Sequence, residues 1–236
     1  MSRIAKALRN FSQFSHSGKF INNGAEWGFQ TCPNKVVSYL FFFRRKKQEI
    51  VVDFDNLHLV RPCWDLHVSF YEAVCEHRKC RTEDFGYPKV RTMRQFRWYL
   101  EEKEFERMAE FLPPDVVPSS AFWLTDGTHY LGSGDVRHWL NEGLMKFGGH
   151  IGYSIRPAVQ NKGLGTRQLV LLLIEARKLG VEVARITCFE ENAASARVIE
   201  KNGGVLVEKV FNAIRGEERE TRVYDIEIMR KKKKYD

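Results

Sequence analysis

The segment that decides the reading runs from His150 to Thr166, HIGYSIRPAVQNKGLGT. Ile151, Tyr153 and Ile155 alternate with small or polar residues, the period of a strand with one buried face. Pro157 interrupts it, and Gln160–Thr166 follows with glycines at 163 and 165. From Gly163 the period changes to 3.6, with Leu169, Leu172, Leu173, Ala176 and Leu179 on one helical face and Gly180 at its end. The order is strand, glycine turn, helix. Glycines let the backbone bend and approach a ligand with no Cβ in the way. The free N–H groups and partial positive charge of the helix start suit a diphosphate. A P-loop is excluded because no Gly-Lys-Ser/Thr follows four residues after a glycine. A dinucleotide fingerprint is disfavoured because its third small position is Gln168.

Working outward, Val183–Phe189 reads as a buried strand, and Asn192 caps a helix over Ala193–Asn202 that Gly203-Gly204 ends. Val205–Phe211 and Thr221–Met229 complete a hairpin-like pair. Upstream, Leu57–Arg61 is a short strand. Pro62 opens a helix reaching about Lys79, with Leu66, Phe70, Ala73 and Val74 inward. A second helix spans Thr92–Phe111, with Phe96, Tyr99, Leu100, Phe105 and Met108 as its face, before Pro113-Pro114. Ala121–Thr125, the turn Asp126-Gly127 and Tyr130–His138 form antiparallel strands, and Asn141–Phe147 is a loop. This is a mixed α/β sandwich without internal repeats.

The net charge of +8 sits at the two ends. Residues 1–48 carry nine of the 38 Lys and Arg and one of the 30 acids, Glu26, and a basic run follows at Arg230–Lys234. We therefore divide the chain into a basic arm (1–48), one domain (49–229) and a basic tail (230–236). The arm reads as disordered, as a targeting peptide, or as sequence upstream of the true start; its cluster Arg44–Lys47 is a solvated charge run. The charge-balanced body gives no basic face for nucleic acid. The longest apolar runs fall short of the roughly 20 residues of a membrane-spanning helix. Five cysteines without a CxxC pair give neither a disulfide framework nor a metal site, and point to a reducing, cytoplasmic compartment.

Gln160–Thr166 resembles the Q/R-x-x-G-x-G/A signature of the GNAT superfamily of acyl-CoA-dependent N-acetyltransferases. The strand His150–Pro157 before it, Glu191–Ala196 and Ile199–Gly204 after it extend the likeness. Val117–Ser120 and the run Arg137–Asn141 resemble a subset of that superfamily, and the resemblance covers about Leu57 to Met229. It implies a mostly antiparallel central sheet with splayed strands, flanked by helices, and acetyl-CoA as co-substrate with no metal. By the same resemblance, backbone groups of Tyr153, Ser154 and Ile155 pair with the pantetheine arm, and the Ile155 N–H polarises the thioester. Gln160, Asn161, Lys162, Gly163, Leu164, Gly165 and Thr166 hold the diphosphate, and Asn192 reaches the pantetheine. Many members place a tyrosine seven residues after that asparagine as acid for the departing thiol; here it is Ile199.

A thiol of pKa about 8.5 needs little protonation help at pH 7, whereas a lysine-like amine near 10.4 must lose a proton held by ~3.4 units, roughly 4.6 kcal/mol. The base therefore matters more than the acid. His150 and Glu191 are the catalytic candidates, with Glu190 beside them; the plain alternatives are a hydrogen-bonded strand-end histidine and helix-N-terminal charges. Arg137, His138 and Asn141, with Glu142, precede the central strand where an acceptor pocket would form. Cys188, in an apolar strand, reads as a packed thiol rather than a nucleophile. The expected function is acetyl transfer to an amine on a small molecule or peptide; the alternative is a non-catalytic acyl-CoA sensor, which Ile199 favours.

Overall fold

A computed structural model describes residues 21–22, 25–26, 49–80, 90–214 and 217–228. The chain divides into two units, Met1–Gln48 and Glu49–Asp236. Within the first, Ile21–Asn22 pairs antiparallel with Ala25–Glu26. The rest of the sequence-defined arm, including Arg44–Lys47, lies outside the described residues, as do Met229 and the tail.

The second unit begins with β1 (His58–Val60), α1 (His67–Cys80) and α2 (Met93–Phe105), followed by β2 (Ser119–Thr125) and β3 (Tyr130–Arg137). A short helix α3 (Glu142–Lys146), strand β4 (Ile151–Ile155), helix α4 (Leu164–Lys178), strand β5 (Val183–Phe189), helix α5 (Ala193–Lys201) and the hairpin β6 (Val205–Ile214) and β7 (Glu217–Glu227) complete it. The strands make two antiparallel sheets, β1-β2-β3-β4 and β5-β7-β6. One bridge, Gly149 with Ile186, joins them.

Strand alternation sorts the core into layers. On one face of the first sheet, Trp123 and Tyr130 meet Phe70 of α1 and Phe96 and Tyr99 of α2. The Phe70 and Trp123 rings stack at 4.6 Å, and Tyr130 meets Trp123 edge-on at 5.2 Å. On the other face, Phe122, Val136 and Ile151 pack with Leu169, Leu172 and Ala176 of α4, and with Ile186, Ile199 and Tyr224. Burying each such side chain contributes about 1.5–3 kcal/mol. Gly134 admits α4 against the sheet, because a Cβ there would press on Leu172.

Several sequence-based boundaries move. The first helix begins at His67 rather than Pro62, after a turn closed by the His67 N–H to the Trp64 carbonyl at 3.0 Å. The second ends at Phe105, because Met108 is extended (φ −97°, ψ 95°), and a single 3₁₀ turn at Ala109–Phe111 follows. Part of the expected loop 141–147 is α3, nucleated by the Asn141 side chain accepting from the Leu144 N–H at 3.0 Å. Leu179 caps α4 and is exposed rather than inward. The last two strands extend toward each other as β6 and β7.

Candidate active site

The strands β4 and β5 touch at one end only. The His150 N–H donates to the Arg185 carbonyl at 2.6 Å, and the Arg185 N–H donates back to His150 Nδ1 at 3.0 Å. The Gly148 N–H donates to Thr187 Oγ1 at 3.0 Å. Gly149 makes this approach possible: its φ is +62°, and a Cβ would overlap the Arg185 carbonyl. Arg137 holds the same turn, donating to the carbonyls of Gly148 and Gly149 at 3.1 and 2.9 Å.

Beyond this seam β4 pairs only with β3. The Arg137 N–H meets the His150 carbonyl, and the Arg156 N–H meets the Leu131 carbonyl. Backbone groups alternate sides along a strand, so residues 150, 152, 154 and 156 point toward β3. The backbone of Tyr153 and Ile155 therefore turns toward β5, where no strand is paired. The Ser154 backbone pairs with β3, opposite Ser133.

At the open end the chain turns through Arg156 and Pro157–Val159 into Asn161 (φ +62°) and Gly163 (φ +83°). No side chain caps α4, and the Arg167 N–H to the Gly163 carbonyl is the first bond of its ladder. The preceding N–H groups are left for an external acceptor, which is anion-site geometry. A Cβ on Gly163 would meet nothing within 4 Å, so only its φ demands glycine. Gly165 differs: a Cβ would sit 3.3 Å from Val198 and 3.8 Å from Ile155, so its smallness lets α4 approach α5 and β4. Gln160 donates its side-chain amide to the Ile155 carbonyl at 3.1 Å, binding the turn to the strand. Lys162 is exposed, its amine 3.8 Å from Glu49.

Arg156 anchors this corner. It is 3% exposed and donates to Glu76 at 2.8 Å, Glu72 at 3.3 Å and Ser69 Oγ at 3.0 Å. Glu76 also accepts the Ala158 N–H at 3.2 Å, tying α1 to the segment after β4.

Across the gap, Asn192 caps α5 by accepting the Ser195 N–H at 3.0 Å through its side-chain oxygen. Tyr153 reaches over from β4: its hydroxyl is 2.9 Å from Ser195 Oγ. Burial pushes the Tyr153 phenol up to about 12, so it stays neutral, and either hydroxyl of the pair can donate to the other. Cys188 is buried, and burial likewise raises its thiol, to about 11, so it is no nucleophile at neutral pH. Ile199 is fully buried beneath Gly204, in the main core. The missing tyrosine is thus a packing position here, and a hydroxyl pair, Tyr153–Ser195, lies in the cleft instead. The two residues are 42 positions apart, and nothing local in the sequence announces their pairing.

The catalytic and acceptor candidates separate. His150 accepts through Nδ1, so the neutral ring carries its proton on Nε2 and has no free lone pair for a substrate proton. Burial, with Arg137 and Arg185 nearby, lowers its pKa against the opposing pull of Asp225. Glu190 is held by Arg222 at 2.6 and 2.5 Å and by Lys209 at 3.1 Å, which keeps its carboxyl down at about 2. Glu191 is exposed and lies 3.9 Å from Arg219, its one ion pair among the described residues. His138 is bonded to Ser120 Oγ at 2.9 Å, Arg137 to the 148–149 turn, and Asn141 to α3. Arg137, His138 and Asn141 therefore each have a partner within the fold. Among the described residues, no group of three or more His, Cys, Asp and Glu side chains is placed to hold a metal.

A domain model described as Acetyltransferase (GNAT) domain matches residues 57–205. A search of curated protein sequences finds no match. Among solved structures, the microcin C7 self-immunity acetyltransferase MccE, in complex with acetyl-CoA and AMP, has a TM-score of 0.58 at 16% identity, over 73% of this chain and 93% of that one. The ribosomal L7/L12 α-N-protein acetyltransferase RimL has a TM-score of 0.56 at 15% identity, over 75% and 93%. The yncA protein of Salmonella typhimurium, with its cofactor acetyl-CoA, has a TM-score of 0.51 at 17% identity, over 75% and 96%. At these identities the likeness is one of fold. The domain match covers well over half of the chain, from the first strand of the second unit to the start of β6, and the chain belongs to the GNAT acetyltransferase family.

Proposed function

We propose that this chain moves an acetyl group from acetyl-CoA to an amine by direct transfer in a ternary complex. One juxtaposition carries the reading. The unpaired backbone edge of β4 at Tyr153 and Ile155 runs directly into the uncapped start of α4. An extended amide arm pairs with such an edge as a strand does, and a diphosphate attached to it reaches the free N–H groups. Bound acetyl-CoA supplies the activated acetyl thioester.

The residues then divide the work. Tyr153 and Ile155 align the pantetheine, and the Ile155 N–H polarises the thioester carbonyl. Asn161–Thr166 hold the diphosphate through backbone N–H groups, with Lys162 adding charge and Asn192 offering its NH₂ to the arm. As the amine lone pair forms the new C–N bond and the C–S bond breaks, the Tyr153–Ser195 pair stabilises the leaving sulfur by hydrogen bonding. A phenol near 12 is a weaker acid than a thiol near 8.5, so this pair donates a hydrogen bond rather than a proton. The ammonium proton leaves through water to Glu191, the candidate carboxylate without a close partner; His150 serves the seam between the strands.

The test is thiol release from acetyl-CoA by the purified full chain across an amine panel. Turnover with at least one amine, lost in Tyr153→Phe/Ser195→Ala while acetyl-CoA affinity is kept, supports the scheme. The buried Ile199 favours a second reading, a non-catalytic acyl-CoA sensor. Tight acetyl-CoA binding with no thiol release from any amine selects that one.

A further inference from the structure

The gap between β4 and β5 has two mouths, one on each face of the sheets. Strand alternation divides the side chains of β5 between them. Ile186 and Cys188 pack in the core with Leu169 and Leu172 of α4 and Ala196 of α5, the face on which the Tyr153 hydroxyl meets Ser195. Phe189, the last residue of β5, belongs to the other face. Directly opposed residues share a face, so Thr221, opposite Phe189, and Arg219, two residues before it, lie there as well. A cofactor whose diphosphate sits at the start of α4 fills the first mouth and leaves the second to the acceptor.

The second mouth already holds a cation. The guanidinium carbon of Arg219 lies 5.0 Å from the centre of the Phe189 ring, and Glu191, just after β5, is 3.9 Å from Arg219. The ring of Phe147, from the segment between α3 and β4, is 6.2 Å from that of Phe189. Phe189 and Arg219 are half-buried and Glu191 is exposed, so the ring and the carboxylate border solvent. Thr221 is fully buried, and its hydroxyl has no partner among the described residues, so this face keeps a spare oxygen acceptor. Arg185, four residues back on the same face, is paired with Asp225 at 2.9 Å and does not oppose a cation at the mouth. An aromatic face, a carboxylate and a hydroxyl oxygen are groups that recognise an ammonium or a guanidinium.

We infer that this mouth selects an acceptor with two basic groups, an aliphatic diamine, and that Arg219 holds the place of its second, non-reacting cation; the inference rests on the acetyl-transfer reading above. The need for two groups follows from charge. The reacting nitrogen must be neutral to attack the thioester, whereas the face of Phe189 favours the charged form of whatever it holds. The group on the ring is therefore not the one acetylated. The cation–π contact and the 3.9 Å ion pair face solvent and are weak, so a competing cation can displace Arg219. The rings of Phe147 and Phe189 offer apolar surface to the chain between the two basic groups, which favours methylenes over a peptide backbone.

The test is thiol release by the full chain with diaminopentane and with pentylamine at pH 7, where both are protonated. Diaminopentane should be at least tenfold better in kcat/KM, beyond the twofold that a second equivalent amine gives. Phe189→Leu should reduce the ratio to about that twofold, and Phe189→Tyr should keep it. Arg219→Ala should lower the KM of the diamine at least threefold, and the KM for acetyl-CoA should hold in all three variants. A ratio of twofold or less in the parent, or a ratio kept in Phe189→Leu, overturns the inference. So does a diamine KM that rises in Arg219→Ala, which would make Arg219 a helper rather than a placeholder. A binding readout separates the inference from the reading on which it rests. With para-fluorophenylalanine incorporated, and the Phe189 signal identified by its loss in Phe189→Leu, diaminopentane should shift that signal saturably and pentanediol should not. No shift, or an equal shift with pentanediol, in a protein that acetylates amines overturns the second-cation site alone. A selective shift in a protein that acetylates no amine overturns the acetyl-transfer reading and leaves the cation site standing.

Discussion

The two ends of the β4–β5 pair are built from the same two strands and treated in opposite ways. At Gly148–His150 the polar groups are bonded within the fold: two backbone carbonyls take Arg137, Nδ1 of His150 takes a backbone N–H, and Thr187 takes another. At Tyr153–Ile155 and the start of α4, backbone donors are left open toward the gap. The closed end is what makes the open end possible. A strand edge with unpaired groups closes onto the nearest neighbour unless something fixes the spacing, and here the seam fixes it five residues away. The lesson is that the site's chemistry lives in the unsatisfied half and its geometry in the satisfied half.

Breaking the closed end should have the largest effect. Gly149→Val places a Cβ into the Arg185 carbonyl at a φ of +62°, and we expect a loss of more than ~3 kcal/mol in denaturant unfolding, or no folded protein. A variant as stable as the parent would mean that the seam does not set the spacing. At the open end, Gly163→Val meets open space but a φ of +83°, so the cost should be only about 1–2 kcal/mol of stability. Because the turn must shift, acetyl-CoA affinity should fall at least tenfold by calorimetry. Unchanged affinity would remove the diphosphate from this turn.

A third change concerns α4 beneath both ends. Gln168 is fully buried, and neither atom of its amide has a partner among the described residues. Gln168→Met should raise stability by about 1 kcal/mol, read as a higher thermal midpoint. A destabilised variant would point to a ligand of that amide.

The smallest effect is a pH slope at the closed end. Burial lowers the pKa of both His150 and His138 in the folded protein. The unfolded chain then binds protons first, so stability is full above about 6.5 and falls as pH drops through the lowered folded values. His150→Gln should flatten this slope between pH 7 and 5 relative to the parent, leaving the His138 contribution. An unaltered slope would show that His150 is not held neutral by the seam.

The glycine turn before α4 was legible because its signals are local: glycine where φ is positive, a stop before it and a 3.6-residue period after it. Asn192 as a cap, and the Asp126-Gly127 turn between β2 and β3, were legible for the same reason. Helix α3 was not, since five residues are too few for a period, and one cap bond from Asn141 decides it. The roles of Arg137, His138 and His150 were not legible either. A histidine that accepts a proton and one that accepts a backbone N–H are the same letter, and Arg185, which decides between them, lies 35 residues downstream. The Tyr153–Ser195 pair and the Ile199–Gly204 contact are likewise products of packing.

Arg156 also limits how the turn before α4 can move. A glycine-containing turn with few bonds of its own would ordinarily fluctuate in nanoseconds to microseconds. This one is rooted at a guanidinium buried against Glu72, Glu76 and Ser69, so its first residues cannot swing away without stranding a charge inside the protein. Large excursions are thereby converted from local fraying into a rarer event that takes α1 along. In hydrogen-exchange terms, the amides of α1 and of Val159 should exchange as one cooperative unit, so that a ligand slowing one slows the other.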